Sequence, residues 1–180
     1  MLAMAAVLIM ASGCSAQSKT QNENTMKSVI FYFSCSGNTE RAAKELGRVV
    51  DAPVIRLEPV EPYTAADLDW EADNARCNSE HKDPASRPAL RPVDFDFASV
   101  DTVFVGFPIW WYMEPRIINT FFDNYDTQLK GKAIYPFCTS GESPVTDADK
   151  SLKKGYPNLD IKAGLRFPAS KEEILRWIGK

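Results

Sequence analysis

Residues 31–43 read FYFSCSGNTERAA, and the fold turns on how this stretch is read. Val29-Ile-Phe-Tyr-Phe33 is a short apolar run of β-branched and aromatic residues, which predicts a buried strand. From Asn38 to Val50, Ala42, Ala43, Leu46, Val49 and Val50 recur at helical spacing, while Arg41, Lys44, Glu45 and Arg48 fall mostly on the other side. Between strand and helix lies a turn of Ser34, Cys35, Ser36 and Gly37. Gly37 tolerates backbone angles that other residues avoid. Ser34, Ser36, Asn38 and Thr39 supply hydroxyls and an amide, and the helix start supplies free N–H groups and its positive end. Such a turn is a cradle for a phosphate dianion. Read instead from Cys35, the same atoms form Cys-x5-Arg ending at Arg41, the spacing of a thiolate nucleophile with an arginine for a substrate phosphate. One frame holds a phosphate permanently; the other attacks one.

The pattern repeats outward from this unit. APVIRLEP (52–59) predicts a second strand, and DTVFVGFP (101–108) a third that closes at Gly106. EPRIINTFFDNYD (114–126) predicts a helix with Pro115 in its first turn, and GKAIYPFCTSG (131–141) a fourth strand running into another Ser/Gly turn. A helix around Ala148 to Lys154, a strand near Leu159 to Gly164, and a final helix capped by Ser170 complete the chain. Strands alternating with helices imply a parallel sheet with right-handed crossovers. The expected fold is therefore α/β, a doubly wound five-stranded parallel sheet in the order 2-1-3-4-5 within a three-layer sandwich. Residues 63–92 interrupt this regularity. They predict a helix over 65–79, then a loop punctuated by Pro84, Pro88 and Pro92.

Ligands of open parallel sheets bind at the carboxyl ends of the strands, where two further loops are chemically rich. GFPIWWYMEP (106–115) sets two tryptophans and a tyrosine straight after a strand end. It suits the face of a planar aromatic ring, or else one indole is core and the other covers it. CTSGES (138–143) offers hydroxyls and N–H groups to a polar ring edge, or is an ordinary turn before a helix.

Together with RPAL (87–90), these three loops resemble those of the short flavodoxins, over nearly the whole chain from Met26 to ILRWIGK (174–180). The resemblance implies non-covalent FMN, its phosphate on Ser34, Ser36, Gly37, Asn38 and Thr39. It also implies a flavin ring held by Pro108, Ile109, Trp110 and Trp111 on one side and by Thr139, Ser140 and Gly141 on the other. The implied function is electron transfer through FMN to a redox partner protein or a small acceptor. The alternatives are an NAD(P)H-dependent quinone-type reductase and a binding module without cofactor. FAD and NAD are disfavoured, since Gly-x-Gly-x-x-Gly is absent.

Cys35 to Arg41 is similar to the nucleophile loop of low-molecular-weight tyrosine phosphatases, the lesser alternative. Ala42 stands where that motif has a hydroxyl residue to stabilise the thiolate. The Asp-Pro pair that would supply a general acid late in the chain occurs as Asp83-Pro84, in the middle.

Composition narrows the functions further. A formal net charge of −3 without a long basic run gives nucleic-acid binding little support. A single histidine, His81, argues against a His-rich metal site and a Ser-His-Asp triad. MLAMAAVLIM (1–10) is too short to span a bilayer and has the length of a signal-peptide core. With Ala11-Ser-Gly-Cys14 it resembles a bacterial lipoprotein leader: residues 1–13 removed, Cys14 lipidated, 14–25 a flexible tether, and 26–180 the folded domain outside the cytoplasm. The membrane would be reached only through that lipid. The alternative is a cytoplasmic protein whose translation starts at Met26.

Overall fold

The computed structural model describes residues 27–180. The apolar run, Cys14, the tether and Met26 lie outside the described residues. The elements are β1 (Ser28–Tyr32), α1 (Asn38–Val50), β2 (Val54–Arg56), α2 (Arg76–Lys82), β3 (Thr102–Pro108), α3 (Arg116–Leu129), β4 (Ala133–Thr139), α4 (Thr146–Gly155), β5 (Asp160–Ile161), β6 (Leu165–Phe167) and α5 (Lys171–Trp177). The sheet is parallel, in the order β2-β1-β3-β4-β5, with β6 also paired to β4. This is the expected doubly wound topology.

Alternation along the central strands builds the two faces. Val29, Phe31 and Phe33, with Val103, Val105 and Phe107, join Ile117, Ile118, Phe121 and Phe122 of α3 and Leu152 of α4 in one core. Ile30, Tyr32 and Phe104 turn the other way onto Ala43 and Leu46 of α1 and Ile174 of α5. In both cores the central side chains are fully buried, Phe31 and Phe121 in one, Phe104 and Leu46 in the other.

Three expectations need correction. The third strand does not close at Gly106 but continues to Pro108, paired with Thr139. Gly106 serves packing instead, since a Cβ there would lie 2.1 Å from Phe137 Cζ. The single fifth strand is two short ones: β5 pairs with Ala133 and Ile134, β6 with Phe137 to Thr139. Between them the chain leaves the ladder, and the Trp177 indole N–H donates to the Ala163 carbonyl at 2.6 Å. Ser170 caps α5 as predicted, in a reciprocal box with Glu173.

The third correction concerns residues 65–79, which form no continuous helix. A 3₁₀ turn spans Ala66–Leu68, and α2 begins only at Arg76. Tertiary bonds override helical propensity here. The Asn78 amide donates to the carbonyls of Trp70 and Ala72, both at 2.9 Å, folding the segment back on itself. Glu80 accepts from Tyr63 and Arg76 at 2.6 Å each, and Arg116 donates to the Glu80 and His81 carbonyls. Residues 61–82 are thus tied to one another and to the start of α3 by side-chain hydrogen bonds.

Candidate functional site

The first loop is a glycine turn into an uncapped helix start. Gly37 has φ +82°, in the left-handed region, and precedes a helix that starts with no side-chain cap. The first-turn N–H groups of α1 are therefore left for a ligand. Ser34 is buried and accepts from the Gly37 N–H at 3.1 Å, while its carbonyl accepts from Arg56 of β2 at 2.8 Å. Asn38 donates to Ser36 at 3.2 Å and accepts from Arg41. Thr39 is buried, and its hydroxyl lies 2.8 Å from that of Thr139.

The loops after β1, β3 and β4 converge. Ser36, Asn38, Pro108, Ile109, Trp110, Thr139, Ser140 and Gly141 line one open cavity of about 570 Å³, together with Arg41, Ala42, Glu45, Phe167 and Pro168. Trp111 meets four of them, Ser36, Pro108, Ile109 and Trp110, in the adjoining space. It lines a neighbouring cavity of about 370 Å³ with Trp70, Tyr112, Leu68 and Cys77. Ser36, Pro108, Ile109 and Trp110 line both cavities, so the two spaces adjoin. Both volumes lie in the range of small-molecule sites.

In the aromatic loop the structure shows a packing role for Trp110. Trp110 packs edge-on against Phe33 and Tyr63, at 5.7 and 5.3 Å between centroids, and so belongs partly to the core. Trp110 and Met113 exchange two 3.0 Å backbone hydrogen bonds around a two-residue turn. The turn residues Trp111 and Tyr112 have φ +51° and +67°, where hairpins prefer Asn-Gly. Left-handed angles on bulky residues cost about 1–2 kcal/mol each and need outside support. That support is visible: Trp111 Nε1 donates to Asn78 Oδ1 at 2.6 Å, and its ring stacks on His81. Trp70 meets Trp111 edge-on at 6.3 Å.

Sequence reading missed Trp70, Leu68, Ser143, Phe167 and Pro168 as lining residues. A lone tryptophan in a polar segment was the available signal for Trp70, which is 62% exposed. Nothing local marks Phe167 and Pro168, which reach the site only because β6 pairs with β4.

The nucleophile frame fares poorly. Cys35 sits on the rim of the aromatic cavity, and desolvation pushes its thiol up to about 11 although much of the residue is open to solvent. A phosphatase needs the opposite shift. Arg41 is exposed, spending its guanidinium on Asn38. Among the described residues no cluster of three or more His, Cys, Asp or Glu side chains could hold a metal.

A doubly wound sheet with a hydroxyl-rich cradle and two ring-sized cavities at its carboxyl edge defines a flavodoxin-like protein. A family model for flavodoxins matches residues 27–180, and the chain belongs to that family. It is 41% identical to a candidate flavoprotein from Bacteroides eggerthii, with TM-score 0.81 over 84% of this chain and 95% of that one. It is also 41% identical to a second, from Bacteroides uniformis, with TM-score 0.78 over 86% and 99%. A flavoprotein in complex with FMN from Lactobacillus acidophilus shares the fold at 19% identity, with TM-score 0.68 over 85% and 99%. No curated protein matches the sequence.

Proposed function

We propose that the protein binds FMN without a covalent bond and serves in electron transfer. The observation that carries this is the convergence of the uncapped start of α1 and the Thr139–Gly141 loop on one cavity. The donor set fits the group: N–H groups and hydroxyls for a phosphate at one end, and a cavity walled by Ile109, Trp110 and Phe167 for a ring at the other. Membership of the flavodoxin family and the FMN in the Lactobacillus relative support the same reading.

On this reading Ser34 shapes the cradle from beneath, holding the Gly37 N–H. Ser36, Asn38 and Thr39, with the first turn of α1, bind the phosphate. Pro108, Ile109 and Trp110 bear on one side of the ring, and Thr139, Ser140 and Gly141 present hydroxyls and backbone to its polar edge. The flavin supplies the redox chemistry; the protein supplies position and electrostatics.

Purified protein should be yellow and release intact FMN on acid treatment. Colourless protein that gains no visible absorbance on FMN addition would overturn the proposal. Steady-state turnover with NADPH and a quinone separates a reductase from a carrier, and negligible turnover is the outcome expected here. The lipoprotein reading is tested by Cys14→Ser and cell fractionation: loss of membrane association supports it, and an unchanged cytoplasmic protein removes it.

A further inference from the structure

Behind Trp110, the side-chain bonds of residues 61–82 converge on one ring, that of Tyr63. We propose that Tyr63 and Glu80 are positioning residues for the FMN site: Glu80 fixes the Tyr63 ring, and Tyr63 fixes the plane of Trp110. This rests on the FMN reading for what Trp110 faces, but the contacts behind Trp110 stand without it.

Trp110 needs such support. Its backbone is held by the pair of bonds to Met113. Its indole N–H has no partner among the described residues, whereas those of Trp111 and Trp177 each donate to an oxygen. Packing alone therefore sets the tilt of the Trp110 ring. Two rings stand edge-on to it, Tyr63 at an interplanar angle of 75° and Phe33 at 80°. Edge-to-face contact is a preferred arrangement of aromatic rings, and it constrains the plane of a ring as well as its place. Phe33 is buried in the core and follows directly on β1, which fixes it. Tyr63 belongs to no helix or strand, so its ring has to be placed by side chains.

Glu80 does this with both of its carboxylate oxygens. Oε2 accepts from the Tyr63 hydroxyl and Oε1 from Arg76 Nε, each at 2.6 Å. The Arg76 guanidinium also lies over the Tyr63 ring, 4.0 Å from its centroid, and donates to the Glu61 carbonyl at 2.9 Å. One carboxylate thus places both the hydroxyl at the ring's edge and the cation on its face. Burial and the bond to Glu80 push the Tyr63 phenol well above its usual range, so it remains a donor at neutral pH. Such a cluster is a poor device for stability alone. Taking a carboxylate and a guanidinium out of water is costly, and apolar side chains of similar volume often replace such pairs without loss. Apolar side chains lack direction, whereas a satisfied polar network holds one orientation.

The test compares Tyr63→Phe, which removes one oxygen and keeps the ring, with Glu80→Gln and the double variant. Quenching of flavin fluorescence gives FMN affinity, and visible circular dichroism reports the setting of the bound ring. Each single variant should weaken FMN binding about two- to tenfold, the range set by the net contribution of one hydrogen bond. Each should also alter the visible circular dichroism. With Tyr63 already replaced, Glu80→Gln should change both readouts less than it does alone, because the two residues act in series. Thr120→Val controls for lost stability: it removes a buried hydroxyl bond to the Pro88 carbonyl, and Thr120 lines neither cavity. It should lower the melting temperature and leave both flavin readouts unchanged. Two results would overturn the proposal. One is Tyr63 and Glu80 variants that melt earlier yet keep native FMN affinity and dichroism; the other is additive effects in the double variant. If FMN itself does not bind, the function proposed above fails, and fluorine NMR of cofactor-free protein carrying fluorotryptophan still decides this one. The Trp110 resonance, assigned through Trp110→Phe, should shift in both single variants; an unchanged resonance would overturn the positioning role.

Discussion

Thr39 and Thr139 stand one hundred residues apart and place their hydroxyl oxygens 2.8 Å from each other. The bond ties the first turn of α1 to the end of β4 across the intervening strand β3. In a double-mutant cycle with Thr39→Val and Thr139→Val, the two losses of stability should be non-additive. A coupling of about 0.5–1.5 kcal/mol is expected from urea unfolding. Additive losses would mean that the contact contributes nothing.

Gly37 separates backbone strain from steric fit, because a Cβ there would meet no atom within 4 Å. Gly37→Ala should destabilise by about 1 kcal/mol through its left-handed angle alone. Gly37→Asn should cost less, since Asn tolerates that region. Equal costs for the two variants, read from thermal melting, would contradict this account.

Gly106 is the opposite case, with the Phe137 ring occupying the space where a Cβ would stand. Gly106→Ala should cost about 1–3 kcal/mol or more. Phe137→Leu in the same chain should recover part of that loss, whereas a Phe137→Leu change alone should destabilise. Soluble yield and melting temperature of the three variants give the comparison.

Glu114 is buried, accepting from Asn119 at 3.1 Å and Ser151 at 2.8 Å through Oε1, while Oε2 has no partner. Burial raises its carboxyl above the usual range, outweighing the Asn119 and Ser151 bonds and the pull of Arg116. The folded state therefore holds this proton more tightly than the unfolded chain does. The resulting stability is full below the ordinary glutamate pKa, about 4.3, and is lost as pH rises through the folded value. Glu114→Gln should gain stability relative to the native chain at pH 8 but not at pH 4. An equal effect at both pH values would place the cause elsewhere.

Cys35 offers a second pH test. With its thiol pushed up to about 11, alkylation by iodoacetamide should still be accelerating at pH 10, followed by mass spectrometry of the peptide that carries it. A rate that levels off by pH 8 would mean a ready thiolate and revive the phosphatase frame.

Much of this was legible in the sequence because its signals are periodic or local. The α1 stripe of Ala42, Ala43 and Leu46 gave that helix with its observed limits, and the Ser/Gly turn placed Gly37 where a positive φ was needed. What escaped depends on contacts between distant segments. Asn78 reads as an ordinary polar residue, yet its bonds to Trp70, Ala72 and Trp111 decide the path of residues 65–79. Two-residue pairing at β5 has no period to detect. The aromatic loop was visible as a ring-binding candidate, but its division into a packed Trp110 and an outward Trp111 rests on the turn at 111–112, which no rule for Trp-Tyr suggests.

The halving of the outer strand bears on how the molecule behaves in a crowd. A long free margin of unpaired backbone would invite neighbouring copies to add strands and grow into aggregates. Here one margin is β2, three residues between Pro53 and Pro59, and the other is broken between Ile161 and Leu165, with Trp177 bonded to a carbonyl in the gap. Among the described residues neither margin offers a long continuous template, which disfavours backbone-driven self-association through them.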